Sequence, residues 1–189
     1  KEANRRSGEQ SESLLRIAAE TEVIARAGCV VASTPAEAEE LIEHYQANPE
    51  RLCVSPPGVD HSLFHPGSAA AARAELGLDG APLIGCVGRL QSFKAPDIAL
   101  DAFVGLAAER PDLQFLMVGG PSGPDGDTMR SRLVAAARAS GVAERITFLP
   151  AQPHGRMPVV YRAADVVVVP SRSESFGLVA AEAQACGIP

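Results

Sequence analysis

Apolar and polar positions alternate along the chain with two periods. Val166 to Val169 is a continuous β-branched run, and such a run suits a strand buried on both faces. Leu83 to Val87, Leu113 to Val118 and Arg145 to Leu149 also read as strands. Between these lie helix-spaced segments: Pro96 to Glu109, with Ala99, Phe103 and Leu106 facing inward, then Thr128 to Ser140 and Met157 to Ala164. Leu178 to Cys186 is an alanine-rich helix with Gly187 as its stop signal. Upstream, Leu14, Ile17, Ala18 and Ile24 mark a helix over Ser13 to Ala27, and Cys29 to Ala32 a short buried strand. Thr34 is the N-cap of the next helix, with Pro35 at its first position and Glu37 in its first turn. That helix runs to Tyr45, and Arg51 to Ser55 forms another strand. Ala69 to Leu76 is a short helix closed by Gly77, and the polar stretch Lys1 to Glu12 reads as loop.

Strand and helix alternate four times after Gly80, the order of a doubly wound parallel α/β sheet. Pro56-Pro57-Gly58-Val59-Asp60 interrupts the alternation just before it restarts. The reading therefore divides the chain into residues 1–66, the end of one Rossmann-like domain with a linker, and residues 67–189, most of a second one. The chain opens without a methionine and stops at Pro189, where another strand is due, so the reading takes it as a segment of a longer protein.

Charge and composition narrow the chemistry. A net charge of −6 argues against non-specific nucleic-acid binding, so a phosphate-bearing ligand needs a local cluster of cations. Cysteines stand at positions 29, 53, 86 and 186, outside any C-x-x-C spacing, and read as buried small hydrophobes in a reducing compartment. The histidines form no metal-ligand pattern. No apolar run approaches the roughly 18 residues of a membrane-spanning helix, and no signal peptide is present, so the expected location is cytoplasmic.

Candidate chemistry collects at the carboxyl ends of the strands, where parallel sheets bind ligands. After Val166 to Val169 come Glu174 and, eight residues on, Glu182. Glu182 shares a helix face with Leu178, Val179 and Cys186, so it is partly buried and needs a partner. Between the two acids, the backbone N–H groups of Ser175, Phe176 and Gly177 sit at a helix N-terminus, a ready anion site. The plain alternative is that Glu174 caps the helix and Glu182 pairs with an arginine. Arg89 and Lys94 share the loop after Leu83 to Val87, and two cations so close make sense around a diphosphate; the alternative is a solvated surface pair. Gly119-Gly120-Pro121-Ser122-Gly123 allows close backbone approach to a ligand.

The spacing of Glu174 and Glu182 is E-x7-E, set in E-S-F-G-L-V-A-A-E-A-Q-A-C-G, and the loop after the first sheet strand reads G-R-L-Q-S-F-K-A-P. Both resemble the donor site of the retaining glycosyltransferases of family four, which have the GT-B fold. Pro57 to Pro66, P-G-V-D-x-x-x-F-x-P, resembles that family's inter-domain crossover. The resemblance implies a hexosyltransferase whose donor is UDP-N-acetylglucosamine and whose acceptor is 1D-myo-inositol 3-phosphate, in the mycothiol biosynthesis of actinobacteria. It implies that Arg89 and Lys94 hold the diphosphate, that Glu174 accepts hydrogen bonds from sugar hydroxyls, and that the main chain from Ser175 through Phe176 and Gly177 to Leu178 meets phosphate or sugar. Glu182 would hold the ribose, and the loop at Gln152 the uracil. Arg16 would grip the acceptor phosphate; its plain alternative is an i,i+4 pair with Glu20. A structural Mg2+ is implied at Tyr161, Arg162 and Ala164 through main-chain oxygens, since such side chains are poor magnesium ligands. No organic cofactor, nucleic acid or membrane is implied. A homodimer is one arrangement the reading allows. Rival readings are a family-four enzyme making sucrose phosphate or a glycan, and a nucleotide-sugar-binding piece inactive on its own. A dinucleotide-binding oxidoreductase is disfavoured, because no G-x-G-x-x-G follows a first strand.

Overall fold

The computed structural model describes residues 14–123 and 126–189. The polar stretch Lys1 to Glu12, expected as loop, lies outside the described residues. Two compact units emerge: the described residues up to Gly58 with Ser173–Gly177, and Val59–Arg172 with Leu178–Pro189.

In the first unit, helix α1 (Leu14–Arg26) leads to strand β1 (Val30–Ala32), helix α2 (Pro35–Tyr45) and strand β2 (Leu52–Val54). The two strands pair in parallel, Val30 opposite Leu52. α2 starts where the sequence says it should. Thr34 Oγ1 accepts the Glu37 N–H at 3.1 Å, which satisfies one orphan donor of the first turn, and Glu37 Oε2 accepts the Ser33 N–H just before the cap at 2.6 Å. The cysteine expectation fails here. Cys29 and Cys53 are exposed, and their sulfurs lie 3.6 Å apart. They share the outer face of the β1–β2 pair with Val31, itself 62% exposed, and only the other face, at Ala32, is buried.

The second unit opens with α3 (Ala69–Leu76) and continues β3 (Leu83–Val87), α4 (Pro96–Ala107), β4 (Gln114–Val118), α5 (Gly126–Ala139), β5 (Ile146–Leu149), α6 (Met157–Ala163), β6 (Val166–Val168) and α7 (Leu178–Ala185). All strands are parallel, in the order β5-β4-β3-β6. The α/β architecture with parallel sheets expected from the alternation is present.

Period-two alternation in β4 builds the core on both faces. Phe115 and Met117 point into one layer with Phe103 and Leu133 of α4 and α5, and Phe103 stacks on Phe115 at 5.1 Å. Leu116 and Val118 point into the other, with Tyr161 of α6 and Phe64. Leu106 is 46% exposed rather than inward. The inward stripe of α4 runs Pro96, Ala99, Leu100, Phe103, Ala107, so from Phe103 it continues by the step of four to Ala107, and Leu106, three residues on, falls at its edge. β6 also departs from expectation. Its valines are only half-buried, because it pairs with β3 alone and forms a sheet edge among the described residues. Its Val167 N–H donates to the Pro189 carbonyl at 2.8 Å.

The start of β6 is fixed from the side. Asp165 Oδ2 accepts from Arg73 Nη2 and from the Leu83 N–H, both at 2.8 Å, while Arg73 Nε donates to the Ala163 carbonyl at 2.8 Å. One carboxylate thus ties α3, β3 and the α6–β6 turn together with charge-assisted bonds.

Cys86, in the middle of β3, is buried, and burial pushes its thiol up from 9.0 to about 12. The folded state therefore keeps the proton longer than the unfolded chain does. Stability is insensitive to this group below pH 9 and falls as pH rises from there toward 12. Chemical denaturation across that window should show a smaller alkaline loss for Cys86→Ala than for the unmutated chain. Equal losses would mean that the thiol titrates in the folded protein at the same pH as in the unfolded chain.

Candidate functional site

β3 is flanked by β4, which follows it in the chain, and by β6, which returns from the far side after β5. The direction of winding reverses between β3 and β6, and parallel sheets open a ligand crevice at such a point. A cleft lies there, lined by Gly88, Arg89, Lys94, Pro96, Pro170 and Ser171 among others.

The loop after β3 is held by the loop after β4. The strand ladder continues past the strand ends: Gly88 N–H donates to the Val118 carbonyl at 2.9 Å and Leu90 N–H to the Gly120 carbonyl at 3.0 Å. Gly119 packs directly on this edge, and a Cβ placed there would stand 1.8 Å from the Gly88 carbonyl oxygen. The glycine-rich loop thus permits the close approach of two main chains. It also borders a second cleft of about 300 Å3 at the ends of β4 and β5, with Gly119, Gly120, Phe148 and Pro150 in its walls. Gln152 stands just beyond, half-buried, its Nε2 donating to the Pro150 carbonyl at 3.0 Å.

Arg89 and Lys94 are brought together as the loop motif implies. The Arg89 guanidinium lies 5.7 Å and the Lys94 ammonium 5.5 Å from the ring centroid of Phe93. The aromatic face offsets part of the repulsion between the two cations. Residues Ser92–Lys94 form one 3-10 turn, and Arg172 grips it from the end of β6. Its main-chain N–H donates to the Phe93 carbonyl at 2.8 Å, its guanidinium donates to the Ser92 carbonyl, and its Nη2 lies 3.1 Å from Asp97 Oδ2 at the start of α4. The sequence reading passed over Arg172. The available signal was an arginine shortly after a valine strand, with an acid, Asp97, in the first turn of a helix that starts from the cationic loop.

Glu182 projects from α7 and is half-buried. Its partner is a phenol, not the arginine of the plain alternative: Tyr161 Oη donates to Glu182 Oε2 at 2.6 Å. Tyr161 is buried, and burial first, then the bond to Glu182, pushes its hydroxyl far above the usual phenol range. The phenol is thus a fixed donor that holds the carboxylate in one orientation. Sequence reasoning had used Tyr161 only for its main-chain oxygen, and nothing in the linear spacing links positions 161 and 182.

Glu174 and Ser175 are exposed, Phe176 and Gly177 half-buried. Gly177 has φ 89°, a left-handed conformation that favours glycine, directly before Leu178 opens α7. In the first unit Arg16 Nε lies 2.7 Å from Glu20 Oε1, and Glu20 Oε2 accepts from Tyr45 Oη at 2.7 Å. The i,i+4 pairing is therefore present. Tyr161 and Arg162 lie in the last turn of α6 and Ala164 just beyond it, and Arg162 Nε donates to the His65 carbonyl at 2.8 Å. Among the described residues no three His, Cys, Asp or Glu side chains cluster as metal ligands, and no helix is long and apolar enough to cross a membrane.

Comparison with known proteins gives these loops a context. Residues 69–189 match the sequence family described as glycosyl transferases group 1. The D-inositol 3-phosphate glycosyltransferase of Mycobacterium sp. (strain KMS) is 50% identical over 183 residues, 96% of this chain and 40% of that protein. The enzyme of that name from Nocardia farcinica is 49% identical, again over 96% of this chain and 41% of its own length. The chain thus spans about 40% of the length of the curated relatives it matches. Among solved structures, a sucrose-phosphate synthase from Thermosynechococcus elongatus is similar with a TM-score of 0.79 at 34% identity, over 95% of this chain and 44% of that one. Anabaena HepE in complex with UDP and glucose gives a TM-score of 0.82 at 25% identity, over 94% and 48%.

The contact between Gly119 and Gly88 makes a direct prediction. Gly119→Ala forces the two loops apart main chain against main chain, with no flexible side chain to yield. Overpacking of this kind costs roughly 3 kcal/mol. Denaturant titration should show a loss of that order, whereas a change below about 0.5 kcal/mol, the usual range for an uninvolved surface site, would show that the loops are not in contact.

Proposed function

The chain belongs to the group 1 glycosyl transferases, and we propose that it carries the donor half of an enzyme moving N-acetylglucosamine from UDP-N-acetylglucosamine to 1D-myo-inositol 3-phosphate with retention at the anomeric carbon. The observation that carries the reading is the convergence of Arg89 and Lys94 on one ring at the switch point of a parallel sheet, with Glu182 held by Tyr161 on the helix after β6. The acceptor rests on the names of the relatives that match nearly the whole chain.

In this reading Arg89 and Lys94 take the diphosphate. When the bond from the anomeric carbon to phosphate oxygen breaks, charge builds on the β-phosphate, and preplaced cations stabilise that charge more than the ground state. The new bond forms between the anomeric carbon and an inositol hydroxyl, whose proton leaves with the diphosphate. Glu182, with one oxygen fixed by Tyr161, accepts from the ribose hydroxyls. Gln152 marks the loop for the uracil. Glu174 and the main chain of Ser175, Phe176, Gly177 and Leu178 serve the sugar and its phosphate. Arg16 would exchange Glu20 for the acceptor phosphate. Residues 1–66 form the end of the acceptor domain and residues 67–189 the donor domain, in a cytoplasmic enzyme.

Magnesium at Tyr161, Arg162 and Ala164 does not suit the chemistry of that turn. The Tyr161 carbonyl accepts the Ala164 N–H at 3.1 Å, and the Arg162 guanidinium adds positive charge to the same turn. A hard divalent cation prefers carboxylate and water oxygens, so this residue set fits it poorly and no step is drawn through it. A second reading, an enzyme making sucrose phosphate, is favoured by the likeness to the sucrose-phosphate synthase. Assays with inositol phosphate and with hexose phosphates as acceptors separate the two.

Two substitutions test the donor site in a full-length protein carrying this chain. Lys94→Ala should lower turnover by about 100-fold or more, the range seen when one preplaced donor to transition-state charge is removed; near-normal turnover would end this role for Lys94. Glu182→Gln keeps the size and the bond from Tyr161 but removes the charge. Calorimetric titration with UDP should show affinity weakened by about 10-fold, in keeping with roughly 1.5 kcal/mol for one hydrogen bond to a charged group. Unchanged affinity would move the ribose elsewhere.

A further inference from the structure

Gln91 is buried, 8% exposed, and among the described residues no other amide or charged side chain is. It lies between the two cations in sequence, and its main chain bonds to both. Gln91 N–H donates to the Arg89 carbonyl at 2.9 Å, and the Gln91 carbonyl accepts the Lys94 N–H at 3.0 Å. Its side chain crosses to the glycine-rich loop, where Nε2 donates to Ser122 Oγ at 3.0 Å. A Cβ at Gly123 would stand 3.2 Å from the same Nε2, so the loop fits closely around the amide. The other end of the amide, Oε1, is buried with no hydrogen-bond partner among the described residues.

An unpaired buried carbonyl disfavours folding, and an apolar side chain of the same length would avoid that cost. A buried polar group kept at such a cost calls for an explanation, and a role in the function of the site is one. We propose that Gln91 is a positioning residue for the transfer reaction: tied to Ser122, it is a strut that fixes Arg89 and Lys94 against the donor diphosphate. This rests on the donor-site reading given above. Gln91 need not touch the substrate, since its main-chain bonds set the spacing of the two cations. Fixed spacing matters most when charge develops on the leaving phosphate, so the effect falls on turnover more than on substrate binding.

The test uses Gln91→Met and Ser122→Ala, singly and together, in a full-length protein carrying this chain. Donor KM, turnover, UDP affinity and thermal midpoint are measured for each. Gln91→Met should keep or raise the thermal midpoint, because it removes the unpaired carbonyl, yet lower kcat by about 10-fold or more with donor KM changed less than about 3-fold. Ser122→Ala should move kcat in the same direction. The double variant should be no worse than Gln91→Met alone, since both remove one bond. A Gln91→Met protein with unmutated kcat overturns the proposal. So does one whose activity falls only in proportion to a lowered thermal midpoint, which would make Gln91 a stability residue. An unmutated protein that binds no UDP and transfers no sugar would instead overturn the donor-site reading, and the strut with it.

Discussion

The approach of Gly119 to the Gly88 carbonyl governs the site in the second unit. It lets the main chains after β3 and β4 stay paired beyond the ends of the strands, so a loop that would otherwise be mobile inherits the rigidity of the sheet. Everything attached to that loop gains from this. Arg89 follows directly, Lys94 is a turn away, and α4 starts at Pro96 with its buried stripe on the sheet. A side chain larger than hydrogen at position 119 would break the chain of dependence at its first link.

The electrostatics follow from that rigidity. The protein is acidic overall, yet it holds Arg89, Lys94 and Arg172 around one 3-10 turn. Arg172 is neutralised locally by Asp97 and spends its donors on the Phe93 and Ser92 carbonyls, so it shapes the turn rather than adding a third cation to the cleft. Arg89 and Lys94 both lie over the Phe93 ring of that turn. A flexible loop would let two such cations drift apart; a turn clamped at its own carbonyls holds both against one ring.

Much of this was legible in the sequence, and the limits have physical causes. The helices α2, α3 and α7 and the strand β3 were readable because caps, glycine stops and apolar runs are local signals: Thr34, Gly77 and Gly187 act on their own neighbours. The cations at 89 and 94 were found because they share a loop. Burial of individual positions was less legible. A valine run such as Val166 to Val169 has the same pattern in a central strand and at an edge, and only the strand order decides which. Cys29 and Cys53 look buried in isolation, yet they lie on the outer face of a two-stranded pair. Arg172 and Tyr161 act across 75 and 21 residues, and no periodicity carries that information.

Tyr161 and Glu182 show how a long-range pair gives the site its chemistry. A carboxylate on an apolar helix face is costly unless a donor meets it, and a charged donor would compete with any ligand for both oxygens. A phenol donates one bond and carries no charge. Burial, and then the bond to Glu182, push its hydroxyl far above the usual phenol range, so it remains a donor. Glu182 therefore has one oxygen held in a fixed orientation by Tyr161. An arginine at position 161 would satisfy the same acid and weaken it as a ligand-binding group, which is why a neutral, buried donor suits this position.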